Sequence, residues 1–253
     1  MIADRELLRG LAEDALGPPP PAGAPARRVV GDGYIAEIGP EPDPNLNIAL
    51  RLRLEGRDVA ATVAEVRRLF EAAGRSAVTW EVSSRSTPAG LEQKLRSLGM
   101  ETNDDPASML ALACTAEPTS ASPGVTVERV ETAEQFQLVR DLYHQDRGWS
   151  PSDEWLRGPG VTRYLARIDG RPVATADLTL LEDERAVFLG GALTLPEFRG
   201  RGAYRALVRT RWSDAVAAGR PLLVTQSEPM SQPILRRLGF EVVGHINVLL
   251  DRW

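Results

Sequence analysis

Near the start of the chain Leu8, Leu11 and Ala15 fall on one face at helical spacing and predict an amphipathic helix over residues 1–16. "GPPPPAGAP" (17–25) cannot continue it, because proline lacks the N–H and clashes with the preceding turn, so it reads as an extended surface connector. Residues 34–38 and 46–54 have strand character. Val63, Val66, Leu69 and Phe70 make the apolar stripe of a helix over 59–73, and "AVTWEV" (77–82) reads as a buried strand. Pro88 then opens a helix carrying Leu91, Leu95 and Leu98, which Gly99 stops.

"AEPTSASPG" (116–124) is small, polar and proline-bearing, and reads as a linker between units 1–115 and 125–253. In the second unit "VTVERV" is strand-like, and Thr132 caps a helix bearing Phe136, Val139, Leu142 and Tyr143. "SPSDEWLRG" suggests another short helix. Residues 162–195 read as three strands joined by two turns, the first at Asp169-Gly170. A helix over 203–218, a strand at "LLVTQ", a helix over 231–238 and a closing pair, "FEVVG" and "HINVLLDRW", complete the unit. The expected class is α+β, a mixed sheet flanked by helices.

The two units echo each other. "FEAAGRSAVTWEVSS" (70–84) has the layout of "AVAAGRPLLVTQS" (215–227), and "KLRSLGME" (94–101) that of "ILRRLGFE" (234–241). Two matches in the same order indicate a duplicated fold.

Composition narrows the function. A net charge of −5 disfavours broad nucleic-acid binding. Cys114 is the only cysteine, which excludes an intramolecular disulfide or multi-cysteine metal site, and His144 and His245 show no metal-ligand spacing. No apolar run approaches the roughly 20 residues of a membrane span, and the charged amino terminus is no secretory signal. The expectation is a cytoplasmic protein with no nucleic-acid, membrane or metal partner.

The candidate chemistry lies in "LTLPEFRGRGAYRALV" (193–208), where a strand runs through Pro196 and an Arg-Gly-Arg-Gly turn into a helix. A helix amino terminus exposes unpaired N–H groups and a positive dipole end, so the turn suits an anion such as pyrophosphate. A solvated basic turn is the alternative. The Gly-Lys-Ser/Thr ending of a phosphate-binding loop and the spacing Gly-x-Gly-x-x-Gly are both absent.

With its context, this stretch resembles the acyl-CoA motif of the GNAT N-acetyltransferases, Arg/Gln-x-x-Gly-x-Gly/Ala between a strand and a helix. Arg199 and Gly202 hold its first two defined positions, and Tyr204 departs from the third. The resemblance spans 125–253. It implies a GNAT fold in tandem whose second unit binds acetyl-CoA, or another acyl-CoA, as co-substrate. Ala192, Leu193, Thr194 and Leu195 would be the strand end against the pantetheine arm, and Arg199, Gly200, Arg201, Gly202, Ala203 and Tyr204 the pyrophosphate cradle. The first unit has "LEGRDVAAT" in place of the cradle, so it is expected to bind no cofactor and to shape the acceptor side.

Acyl transfer to an amine needs a base and an acid. The tyrosine that many family members carry four residues before Gly-Phe is here Leu235. Substitutes are Ser231 and Glu228, which also read as helix-capping residues, and Asp177, on a strand face with Thr175 and Thr179 that is equally readable as exposed. His144 and Trp149 flank a loop expected to border the cleft, and Glu182, Asp183 and Glu184 read as a solvated turn. The leading expectation is an N-acetyltransferase acting on a small-molecule or peptide amine. A non-catalytic acyl-CoA-binding module is the alternative, and a homodimer stays open.

Overall fold

The computed structural model describes residues 4–118 and 123–253. Residues 1–3 of the predicted first helix and 119–122 of the predicted linker lie outside the described residues. The leucine stripe folds as α1 (Arg5–Glu13), capped by the Asp4 carboxylate. Strands β1 (Arg27–Val30), β2 (Ile35–Ile38) and β3 (Asn47–Leu50) follow, then α2 (Val59–Glu71), β4 (Ala77–Ser83), α3 (Leu91–Ser97), β5 (Glu101–Thr102) and β6 (Ser108–Cys114). The second half begins with β7 (Val125–Arg129), α4 (Ala133–Arg147), α5 (Asp153–Leu156), β8 (Val161–Ile168), β9 (Arg171–Leu180) and β10 (Val187–Thr194). It ends with α6 (Ala203–Ala217), β11 (Leu223–Ser227), α7 (Gln232–Arg237) and β12 (Glu241–Arg252).

Local chemistry explains most boundaries. Thr132 and Gln135 form a reciprocal capping box at α4, and Asp169 and Gly170 take the paired positive φ values, 51° and 77°, of a tight hairpin turn. Three boundaries differ from the pattern, and two strands are not marked by it. The strand expected over 46–54 ends at Leu50, because Arg51 turns left-handed (φ 54°). Pro88 stands in the turn before α3 rather than in it, its carbonyl accepting from Leu91 N–H. The closing pair is one strand, β12, carried through an irregularity between Val242 and Gly244. β1 and β6 carry no alternation that marks them in sequence.

The duplication is visible in hydrogen bonds. After α2 the Arg75 N–H donates to Phe70 O (2.9 Å), and after α6 the Arg220 N–H donates to Ala215 O (2.8 Å). After α3 Met100 N–H reaches Leu95 O, and after α7 Phe240 N–H reaches Leu235 O. Each is the six-to-one bond that closes a helix on a left-handed glycine, here Gly74, Gly219, Gly99 and Gly239.

The halves do not merely pack together. One sheet runs β1-β2-β3-β4-β12-β6-β11-β10-β9-β8-β7. Thus β12, last in the chain, lies between β4 and β6 of the first half, while β6 lies between β11 and β12 of the second. The cores interleave accordingly. Leu112 and Cys114 of β6 join the second core with Leu142, Tyr164, Leu207 and Leu235, and Leu249 of β12 joins the first with Val66, Phe70, Trp80 and Leu95. Helix α1 buries Leu8, Leu11 and Ala12 on the junction, against Ala111, Ala113, Val224 and Val243.

Residues 123–253 expressed alone are therefore expected to aggregate, since β12 loses both neighbours and Leu249 its core. Co-expression with residues 1–118 should give a one-to-one complex on size exclusion. A soluble, cooperatively folded 123–253 monomer would contradict this.

Candidate functional site

The site begins where two parallel strands part. β10 pairs with β11 only at Val187–Leu223 and Phe188–Val224. Beyond Phe188, β10 stays with β9 while β11 stays with β6, leaving a V whose arms are 190–195 and 225–228. An irregularity between Gly190 and Leu193 bends β10 away, with Gly191 left-handed (φ 57°). A Cβ at Gly191 would also run into the Asp177 carboxylate, so only glycine fits.

The arm holding Ala192, Leu193, Thr194 and Leu195 passes through a turn at Pro196–Phe198 into the Arg-Gly-Arg-Gly segment. Gly200 and Gly202 have φ of 78° and 93°, and no side chain caps α6, whose N-cap is Gly202. The first-turn donors of α6, from Ala203 and Tyr204 onward, therefore face outward without a partner from this chain's side chains. Arg199 ties the turn to the strand end, donating from Nε to Thr194 O (3.1 Å) and from Nη2 to Asp146 (3.2 Å). Arg201 faces Asp169 at 3.4 Å and stacks over Phe198. Tyr204 is half-buried against the second core, and burial raises the pKa of its hydroxyl, which lies beside the buried Arg211.

The first half has the same V, treated differently. β3 and β4 are parallel at two pairs only, Ile48–Thr79 and Ala49–Trp80. A left-handed residue again follows, but it is Arg51, whose guanidinium grips Asp14 O. The mouth is closed by Leu54 N–H to Thr87 O and Thr87 N–H to Leu52 O. The acid noted in "LEGRDVAAT", Asp58, caps α2 by accepting from Ala60 and Ala61 N–H, so a carboxylate of the chain already fills the anion position.

The candidate acid–base residues separate. Asp177 does not lie on an exposed face. It is 7% exposed, paired with Arg163 at 2.9 Å, and its backbone carbonyl accepts from Arg211. Burial pushes its carboxyl up to about 6, against the lowering pull of Arg163 and Arg211. Its Oδ1, the Nε and Nη1 of Arg163 and the Nη2 of Arg211 are buried without partners. Glu228 is exposed at the other arm, and Ser231 donates from Oγ to Glu228 O (3.2 Å) rather than capping α7 as its sequence suggested. Leu235 is fully buried, in the role Leu95 has in the first half. His144 is exposed, at the end of α4. The acidic turn is not simply solvated, since Glu182 pairs with Arg28 at 2.7 Å.

Sequence reasoning missed the contributions of Tyr143, Trp155 and Glu41. Tyr143 donates from its hydroxyl to Gly191 O (2.9 Å), and Trp149 and Trp155 meet its ring edge-on at 5.7 and 5.3 Å. Glu41, from the first half, accepts from Trp149 Nε1 (2.9 Å) and Ser152 N–H (3.4 Å). Only the positions of Tyr143 and Trp149 were marked in sequence; nothing local marks Glu41. Among the described residues no three His, Cys, Asp or Glu side chains group as a metal site requires, and no helix is long and apolar enough to cross a membrane.

Residues 128–240 match the model of the Acetyltransferase (GNAT) family. No curated protein matches the sequence significantly. Among solved structures, a GCN5-related N-acetyltransferase from Kribbella flavida is 24% identical, covers 89% of each chain and superposes with a TM-score of 0.66. A tandem GNAT protein from the clavulanic acid biosynthesis pathway is 16% identical over 98% of this chain and 93% of its own, with a TM-score of 0.62. A GCN5-related N-acetyltransferase from Sphaerobacter thermophilus is 14% identical over 91% of this chain and 82% of its own, with a TM-score of 0.58. The fold built around the parted strands β10 and β11, repeated around β3 and β4, is the one these proteins share, and residues 128–240 are a GNAT-family acetyltransferase domain within a tandem GNAT fold.

Proposed function

We propose that the protein is an N-acyltransferase that moves an acetyl group from acetyl-CoA to a primary amine of a small molecule or peptide, by direct transfer with both bound. The observation that carries this reading is the unbroken path from the open V of β10 and β11 to the uncapped amino terminus of α6. The free edge of β10 through Ala192, Leu193, Thr194 and Leu195 suits the amides of a pantetheine arm. The α6 donors from Gly202, Ala203 and Tyr204, the close approach allowed at Gly200 and the charges of Arg199 and Arg201 suit its pyrophosphate. Arg201 holds Asp169 in an exposed and therefore weak pair, and Arg199, itself exposed, leans on the less exposed Asp146, so both guanidinium groups lie within reach of a phosphate. The first unit, with Asp58 in its anion position, takes no second acyl-CoA.

Acetyl-CoA supplies the acyl group already activated as a thioester. The chain's residues hold the amine, receive its proton and donate one to the departing sulfur. Asp177 is the titratable group under the bend of β10 and is assigned the base role, its Oδ1 being the carboxylate oxygen left without a partner. Ser231 and Glu228, on the opposite arm, are assigned proton donation. The second reading, a non-catalytic acyl-CoA-binding module, is favoured by the burial of Leu235 where many relatives place a tyrosine acid. Release of free thiol with a panel of primary amines separates the two readings.

Calorimetry should find one acetyl-CoA per chain; no binding would defeat both readings. Gly200→Ala should cost about 1 kcal/mol of stability through its left-handed backbone, while weakening acetyl-CoA by about tenfold through its Cβ. Tyr204→Phe should leave acetyl-CoA affinity within about twofold and lower stability by about 1 kcal/mol, as Arg211 loses a polar neighbour. A large affinity loss would place the hydroxyl on the cofactor.

Asp177 gives a pH test. Its folded carboxyl is raised from 3.8 to about 6, so the native state holds a proton that the unfolded chain releases. Its contribution to stability is full below pH 3.8 and is lost as pH rises through about 6. Thermal unfolding across that window should show a steeper slope in the wild type than in Asp177→Asn, which keeps the like contribution of the Glu81 carboxyl, raised by burial to about 7. Turnover should rise with pH through the same range only when Asp177 is present.

A further inference from the structure

A contact between the halves bears on acceptor recognition. The segment 39–46 of the first half folds around the fully buried Asn47, whose amide Nδ2 donates to Glu41 O (2.8 Å) and Asp43 O (2.7 Å). Asn47 Oδ1 accepts from Gly39 N–H (3.2 Å) and Arg75 Nε (3.2 Å), so the amide is satisfied on both sides and the loop shape is fixed. The loop presents Glu41 to residues 148–152 of the second half. One carboxylate then fixes both ends of that segment, Oε2 accepting from the Trp149 indole and Oε1 from Ser152 N–H.

The contact continues inward. The Trp149 ring meets Tyr143 at 5.7 Å and Trp155 at 5.5 Å, both edge-on, and the Tyr143 hydroxyl holds Gly191 O where β10 bends from β11. On the other side of Trp155 sits the Arg163 guanidinium, 4.5 Å from the ring centroid and paired with Asp177. Aromatic rings packed edge-to-face have few alternative arrangements, so the position of Trp149 constrains Tyr143 and, through it, the Gly191 carbonyl. Nothing within the second half bonds the Trp149 indole N–H, because its acceptor comes from the first.

We propose that Glu41 is a positioning residue by which the first half sets the acceptor-side wall of the acyl-transfer site, acting through Trp149 and Tyr143 on the bend at Gly191. The proposal rests on the acyltransferase reading above. It accounts for the retention of a first half whose own V is closed. Acceptor affinity is then a property of both halves, whereas acyl-CoA affinity belongs to the second.

The test compares the full-length wild type with Glu41→Ala and Glu41→Gln. Thiol release from acetyl-CoA is followed with spermidine, phenethylamine and a tripeptide as acceptors, beside calorimetry of acetyl-CoA and hydrogen exchange of residues 148–156 and 189–194. Glu41→Ala should raise the KM of whichever acceptor is used by about tenfold, the scale of one charge-assisted hydrogen bond. Its kcat should fall less, and acetyl-CoA affinity should be unchanged. Exchange should rise in both segments and not at 199–205. Glu41→Gln, which keeps one acceptor oxygen, should recover part of the KM.

Unchanged acceptor KM, an equal loss of acetyl-CoA affinity, or faster exchange confined to 148–152 would overturn the proposal. A wild type that binds no acetyl-CoA defeats the acyltransferase reading instead, and the exchange at 189–194 then decides whether Glu41 reaches the bend. Wild-type binding without turnover supports the module reading and leaves the same exchange result decisive.

Discussion

The pairing of β6 between β11 and β12 is the interaction on which the rest of the structure depends. β6 belongs to the first half by sequence, yet its five pairs with β11 and six with β12 lie on the second half's side of the sheet. Removing it would leave both strands with unpaired backbone groups and would take Leu112 and Cys114 from the second core. β12 makes the reciprocal contribution beside β4. Two units joined this way cannot rotate as separate bodies, because relative motion would break ladder hydrogen bonds rather than slide a side-chain interface. That rigidity allows a loop of one half to hold a precise contact with the other, as Glu41 does with Trp149 and Ser152.

Duplication followed by divergence is legible in the backbone itself. Both halves keep the parted parallel strands, a left-handed residue just beyond the last shared pair, and matching helix ends. They differ in what fills the opening. In the first, Asp58 caps the helix and Thr87 bridges the strands. In the second, Gly202 leaves the helix uncapped and the strands stay apart. A helix terminus neutralised by its own chain has little left to offer an anion, whereas an uncapped one next to two arginines retains both donors and field.

The charges beneath the second V are costly. Arg163, Asp177 and Arg211 are each under 8% exposed, and four of their polar atoms lack partners. A well-packed apolar set would often be as stable or more so. The Asp177 carboxylate lies against Gly191 and Arg163 packs on Trp155, which ties that cost to the bend where β10 departs from regular pairing.

What the sequence determined by itself is what local forces determine. Helical periodicity placed α1, α2, α4 and α6, the Thr132 cap fixed the start of α4, the Asp169-Gly170 turn joined β8 to β9, and the AAGR and LRxLG repeats announced duplication. The Arg-Gly-Arg-Gly turn lies at the strand–helix junction its chemistry required. What escaped depends on partners remote in the chain. β6 is a short apolar run without alternation because both its faces are covered, and the same seven residues could sit in any buried segment. β12 read as two strands because the break at Val242–Gly244 looks locally like a turn, and only its neighbours carry it through. Asp177 alternates like a surface residue, yet Arg163, the bend at Gly191 and Tyr143 of α4 close over it. Glu41 lies 108 residues from Trp149, and no local signal links them. Tertiary structure alone decided those contacts, because hydrogen bonds between distant strands and the burial of a charge are set by which surfaces meet, and periodicity within a segment carries no record of that.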